Sequence, residues 1–229
     1  MAGVKGILGD TPLEYGEDRS EVSRRVEGTP TIKLRVIVSY VILTLLSAYV
    51  IYDYRIRPDC ICRPRPYVFA VSAFGITGLY GIVGFLNRMN DKRCSDKGFS
   101  FLIYVLTMSL VLPLFASEVW SIEKIFKETP EMVHIHMAMT VPGLASYLFQ
   151  NNRKSWMMDM SWAFSFCTLL YIGFVHGAYW AALAGLLYTI GYFYAERSYY
   201  MPRLDCMHDE EIINYCLSGF LLSANKYLV

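Results

Sequence analysis

Leu34–Tyr54 reads LRVIVSYVILTLLSAYVIYDY, an apolar run that carries only Arg35 near its start and Asp53 near its end. A helix needs about 20 such residues to cross the hydrocarbon core of a bilayer, at about 1.5 Å of rise per residue. Five further runs of the same kind follow: Tyr67–Leu86, Phe99–Ser117, Met132–Phe149, Trp156–Val175 and Ala178–Ala195, split by short charged links. A soluble domain does not gather its apolar residues into six long blocks. The sequence therefore predicts an all-α, polytopic transmembrane helical bundle of six or seven helices over residues 31–229. Residues 1–30 mix Gly, Glu, Asp and Arg and are expected to form a mobile tail.

With 21 Lys and Arg against 20 Asp and Glu, the net charge of +1 gives no basic surface for a nucleic-acid partner. The tail has no apolar core followed by a small-residue cleavage site, so the first span is expected to act as an uncleaved anchor. Basic residues set the orientation. Placing the N-terminus in the cytosol puts Arg19, Arg24, Arg25, Lys33, Arg88, Lys92, Arg93, Lys97, Arg153, Lys154, Arg197 and Arg203 on that side. Arg55, Arg57, Arg63, Arg65, Lys124 and Lys127 fall opposite, a bias of roughly two to one that satisfies the positive-inside rule. The uncleaved anchor and the absence of any N-x-S/T acceptor point to a secretory-pathway membrane, in particular the endoplasmic reticulum.

Small residues suggest how the spans associate. Gly75, Gly78, Gly81 and Gly84 recur at every third position of the second span. Gly177, Ala181, Gly185 and Thr189 form a stripe at four-residue spacing in the sixth. Glycine weakens a helix unless close backbone approach compensates, and in lipid small residues allow that approach. These two spans are therefore the expected centre of the bundle. Pro113 and the Pro142-Gly143 pair interrupt the third and fourth spans, each freeing a carbonyl. Tyr49, Tyr52, Tyr54, Trp120, Trp156, Trp162, Tyr179, Trp180, Tyr192 and Tyr194 read as the aromatic belt of the membrane interface. Cys167 and Cys216 lie in apolar segments and read as packing residues; Cys60, Cys62, Cys94 and Cys206 fall in the links.

Ionisable groups within a membrane are expensive and mark candidate sites. Glu118 ends the third span on the outer side, His134 and His136 open the fourth from that side, and His176 occupies the turn between the fifth and sixth. Such a set has the chemistry to hold zinc and activate water. Against it, residues two apart on a helix project roughly 200° apart, which separates His134 from His136. No HExxH spacing occurs either. The expectation is thus no resident cofactor or metal, with Glu118, His134, His136 and His176 as the catalytic candidates should the protein be a metal-dependent lipid hydrolase.

Residues 211–228 begin after Asp209 and Glu210, which suit the positive end of a helix. Glu211, Asn214, Ser218 and Asn225 share one side, and Ile212, Ile213, Leu217, Phe220, Leu221 and Leu228 the other. The segment either crosses as a seventh helix with its polar stripe inward or lies along the surface; the seventh helix is favoured. The turn GFVHGAYWAALAGLL and the closing DEEIINYCLSGFLLSANKYL resemble the family of transmembrane protein 276, over about a third of the chain. That resemblance implies a small helical membrane protein and carries over no site residues. The chain departs from ceramidase-like hydrolases, whose last span bears a histidine pair that residues 211–228 lack. The functional expectation is a non-enzymatic integral membrane protein, an accessory or scaffold subunit. Its partners would be the lipid bilayer and either another membrane protein or a second copy of itself. A small channel or transporter built on the Pro142-Gly143 break is the third alternative.

Overall fold

A computed structural model describes residues 30–56, 69–89, 97–123, 134–150, 156–196 and 207–229. Seven helices account for nearly all of them: α1 (Pro30–Ile56), α2 (Phe69–Met89), α3 (Lys97–Glu123), α4 (Ile135–Gln150), α5 (Trp156–Val175), α6 (Tyr179–Glu196) and α7 (Asp209–Leu228). No strand occurs among the described residues. The expected tail at 1–29, the first outer link with Cys60 and Cys62, and the links holding Cys94 and Cys206 lie outside them.

Four helices, α1, α2, α3 and α5, are long and apolar enough to cross a membrane, and the chain is an integral membrane protein. The fourth predicted span emerges as a helix of 16 residues, and the sixth as an 18-residue helix rich in tyrosine, so neither reaches that mark alone. Both are nevertheless staves of the same bundle. Each helix packs on the next in sequence, and α7 packs back on α1, so the seven close into a ring. α3 leans inward and also meets α5 and α6.

That makes α3 the centre, in place of α2 and α6. Every residue from 111 to 120 is buried, Pro113 included. A helix apolar on all sides has no face to turn outward and is stabilised in the middle. The glycine helices are staves instead, because a glycine stripe records one close neighbour rather than neighbours all round. Gly78 lies against Ser47, Gly81 against Thr44 and Gly84 against the Tyr40 ring, so three of the four α2 glycines form a groove for α1. A side chain on Gly84 would overlap that ring. Gly75 differs: it faces open space. In α6, Gly185 receives Leu169 and Phe166 of α5, and Ala181 is fully buried. Gly177 lies in the α5–α6 turn at φ +72, where its lack of a Cβ serves the backbone rather than packing.

The interior is aromatic. Phe220 of α7 meets Phe115 of α3 at 5.3 Å, Tyr188 of α6 at 5.5 Å and Phe74 of α2 at 6.5 Å, all edge to face. Such pairs contribute about 0.5–1.5 kcal/mol each beyond area burial. Tyr188 also donates to the Thr107 carbonyl at 2.6 Å, joining α6 to α3.

α7 is the seventh stave, and its polar stripe is inside. Glu211, Asn214, Ser218 and Asn225 are all buried, as are Ile212, Leu217 and Phe220 on the other side. The Arg35 guanidinium donates to Glu211 Oε1 at 3.0 Å, Asn214 Nδ2 to Ser39 Oγ at 2.8 Å and Asn225 Nδ2 to Asp53 Oδ2 at 2.8 Å. The two helices run parallel, from a near end carrying their N-termini to a far end, with a polar bond at each level.

Candidate functional site

The far end holds the four residues singled out by the sequence, and it disperses them. Glu118 is only 2% exposed. It accepts the Tyr54 hydroxyl at 2.7 Å and the Ala70 backbone N–H at 3.2 Å. That N–H belongs to the first turn of α2, where backbone donors have no intrahelical acceptor. Glu118 therefore caps α2 and binds α1 and α3 to it. His134 is exposed, its ring edge-on to Phe69 at 5.5 Å. His136, two residues on, is buried between Trp120 at 4.7 Å and Phe164 at 4.8 Å. The two rings face opposite surroundings, as helical geometry requires.

His136 Nδ1 is 3.1 Å from Ser165 Oγ, and its Nε2 is buried with no hydrogen-bond partner. Thr140 donates its hydroxyl to the His136 carbonyl at 2.7 Å and accepts from the Ser161 hydroxyl, which rivets α4 to α5. His176 stands at the rim, with Nδ1 3.7 Å from Glu123 Oε2, and Glu123 also accepts the Tyr227 hydroxyl at 2.7 Å. Glu118 thus faces α1 and α2, His136 faces α3 and α5, and His134 and His176 face outward. Among the described residues no three His, Cys, Asp or Glu side chains converge on a metal position.

The near end carries what the sequence did not signal. Here α1, α2, α3, α6 and α7 line an open-sided cavity of about 400 Å³, within the roughly 300–1,000 Å³ of ligand pockets. Tyr40, Tyr80, Tyr104 and Tyr194 form its aromatic lining, with Asn87, Ser100, His208, Asp209 and Glu210 as its polar groups. Tyr40 meets Tyr80 edge to face at 5.7 Å and 64°, and Tyr80 meets Tyr104 at 6.5 Å and 48°. Tyr104 donates to the Ala195 carbonyl at 3.2 Å, tying α3 to α6 across the cavity.

Its ionic side is set by the start of α7. Glu210 is gripped by the Arg88 guanidinium, Nε to Oε2 at 3.1 Å and the terminal nitrogen to Oε1 at 2.5 Å, and accepts the Tyr40 hydroxyl at 3.2 Å. His208 caps the helix, its Nδ1 accepting the Glu210 N–H at 3.3 Å. Asp209 is exposed at the lip.

The aromatic belt divides accordingly. Tyr49, Tyr52, Tyr179 and Trp180 are exposed, as a belt requires, whereas Tyr54, Trp120, Tyr192 and Tyr194 are buried and serve the interior. Tyr54 bonds Glu118, and Tyr192 donates to Asp159 at 2.7 Å. Hydroxyl-bearing rings near helix ends suit both places, and position along the chain does not separate them. No family model, curated protein or solved structure matches the chain.

Proposed function

We propose that this protein is a non-enzymatic subunit or scaffold of a membrane assembly, working by binding a partner helix or lipid. The observation that carries this reading is the dispersal of the far-end groups: Glu118, His136 and Glu123 each join different helices, so their chemistry goes into architecture. A bundle latched in this way presents a fixed outer surface, with α5 and α6 offering Tyr171, Phe174, Leu183 and Leu186 to the membrane. The N-terminus on the cytosolic side and residence in the endoplasmic reticulum complete the proposal, on the distribution of basic residues.

Purification of the tagged full chain in a gentle detergent, with mass spectrometry of whatever remains bound and metal analysis of the same sample, tests it. A stoichiometric membrane-protein partner without metal is the expected result. Stoichiometric zinc with lipid turnover, abolished in a folded His176→Ala or His136→Ala variant, overturns it. The pairing of His136 with Ser165 at 3.1 Å, with Nε2 left over, is the feature that favours that second, hydrolytic reading.

A further inference from the structure

The geometry of the near-end cavity points to a binding site for an organic ammonium group, such as the amine terminus of a phospholipid headgroup. The inference deepens the binding role proposed above by naming the ligand class. It begins with the walls. Tyr40, Tyr80 and Tyr104 stand at 5.7 Å and 6.5 Å from one another, inclined rather than stacked, and Tyr194 adds a fourth ring from α6. An aromatic face is the negative end of a ring quadrupole and attracts a cation within about 6 Å of its centroid. Four tyrosines lining one space suit a weakly hydrated ammonium, which gives up little water on entering.

Charge decides between cation and anion. The cavity borders the start of α7, and a helix N-terminus ordinarily favours anions. Here the first turn already supplies Asp209, Glu210 and Glu211. The Arg88 guanidinium is held by both oxygens of Glu210, and the Arg35 guanidinium by Glu211. An incoming phosphate would have to break those pairs. His208 turns its Nδ1 to the helix N-terminus, where it accepts the Glu210 N–H. Among the groups lining the space, Asp209 therefore offers a carboxylate at the lip that a cation meets first. Val83 and Ile213 supply apolar surface for the methylene or methyl groups attached to the nitrogen.

Calorimetric titration of the purified full chain in uncharged maltoside micelles tests the site. The probes are tetramethylammonium, choline and the neutral choline isostere 3,3-dimethylbutanol. The lipid source is examined by native mass spectrometry of the same protein offered phosphatidylcholine or phosphatidylglycerol. The expected result is saturable binding of the cations or selective retention of phosphatidylcholine, and none of the isostere. Cation binding identifies a free amine as sufficient, whereas retention of phosphatidylcholine alone identifies the lipid as the source. Tyr104→Leu should weaken binding at least threefold and Tyr104→Phe should preserve most of it. Asp209→Asn, an exposed change that leaves the fold intact, should weaken it about twofold, and less so in high salt. Equal binding of the isostere, preference for phosphatidylglycerol, no binding at all, or binding indifferent to Tyr104→Leu and Asp209→Asn in folded protein overturns the site. A failed titration leaves the partner-binding role intact, since that role falls only if zinc and turnover are found.

Discussion

α3 at the centre of the bundle and α7, a stave with its polar stripe inward, both bury residues deeply, and they do so by different means. α3 is predominantly apolar, and its residues from 111 to 120 are buried without exception, Ser117 and Glu118 among them. Its burial depends on shape: Phe115 is fully enclosed beside Phe220 and Tyr227. α7 carries Glu211, Asn214, Ser218 and Asn225 to comparable depth, and α1 answers three of them with Arg35, Ser39 and Asp53. Lipid tails are as apolar as leucine, so burial of apolar surface alone gives one helix no preference for another. The contrast teaches that α3 is held mainly by complementarity, with Glu118 as a directional latch to α1 and α2, whereas α7 is held in register by directional bonds to one chosen neighbour.

The comparison breaks most sharply at the centre. Phe115→Ala should lose about 3 kcal/mol of stability, because a rigid bundle cannot collapse into the space and the lining loses its contacts. Thermal unfolding in maltoside or SDS titration in mixed micelles reads this directly. Next comes the deep carboxylate of α3. Glu118→Ala removes the acceptor of both the Tyr54 hydroxyl and the Ala70 N–H in a buried place, at a cost of about 2–3 kcal/mol. Glu118→Gln, which still accepts through one oxygen, should recover part of that. A Glu118→Ala protein as stable as the parent would show that α2 is capped by other means.

The polar contacts of α7 should matter less than those of α3. Arg35 is 44% exposed and Glu211 only 2%. In Glu211→Ala the freed guanidinium can turn to the interface, so the loss should be about 1–2 kcal/mol rather than that of an abandoned buried charge. The same SDS titration measures it, and Arg35→Ala combined with Glu211→Ala should be milder than the sum of the two.

Much of this arrangement is legible in the chain, and the limits are instructive. Runs such as Leu34–Tyr54 announce helices by length and composition, which local sequence carries in full. The polar stripe of α7 announces an inward face, since nothing else would stabilise Asn214 within a membrane. The Gly78, Gly81 and Gly84 groove was legible too, but its partner was not: Tyr40, Thr44 and Ser47 show no sign of being its complement. The central place of α3 is not legible because uniform apolarity has no direction, whereas glycine stripes mark pairwise contacts. Glu118 was visible as an expensive carboxylate, but the groups it serves lie 64 and 48 positions away. The near-end cavity was least legible. It takes residues from five helices, and of its tyrosines Tyr194 reads equally well as belt while Tyr40, Tyr80 and Tyr104 carry no mark that sets them apart within their spans.

The finest test of the contrast is Asn214→Leu. Asn214 is fully buried and donates to Ser39 Oγ at 2.8 Å, yet its Oδ1 has no hydrogen-bond partner. Ser39 keeps its own bond, because its hydroxyl donates to the Val36 carbonyl at 2.7 Å whatever stands opposite. Leucine is close in volume, removes the orphaned oxygen and leaves no buried donor stranded, so the change should stay within about 1 kcal/mol of the parent and can fall on the stabilising side. If stability holds while alternative pairings appear, as altered cross-linking between cysteines introduced on α1 and α7, then Asn214 selects register rather than adding strength. A loss above about 2 kcal/mol would mean the amide carries energy that the Ser39 bond alone does not explain, and α7 would resemble α3 more than its composition suggests.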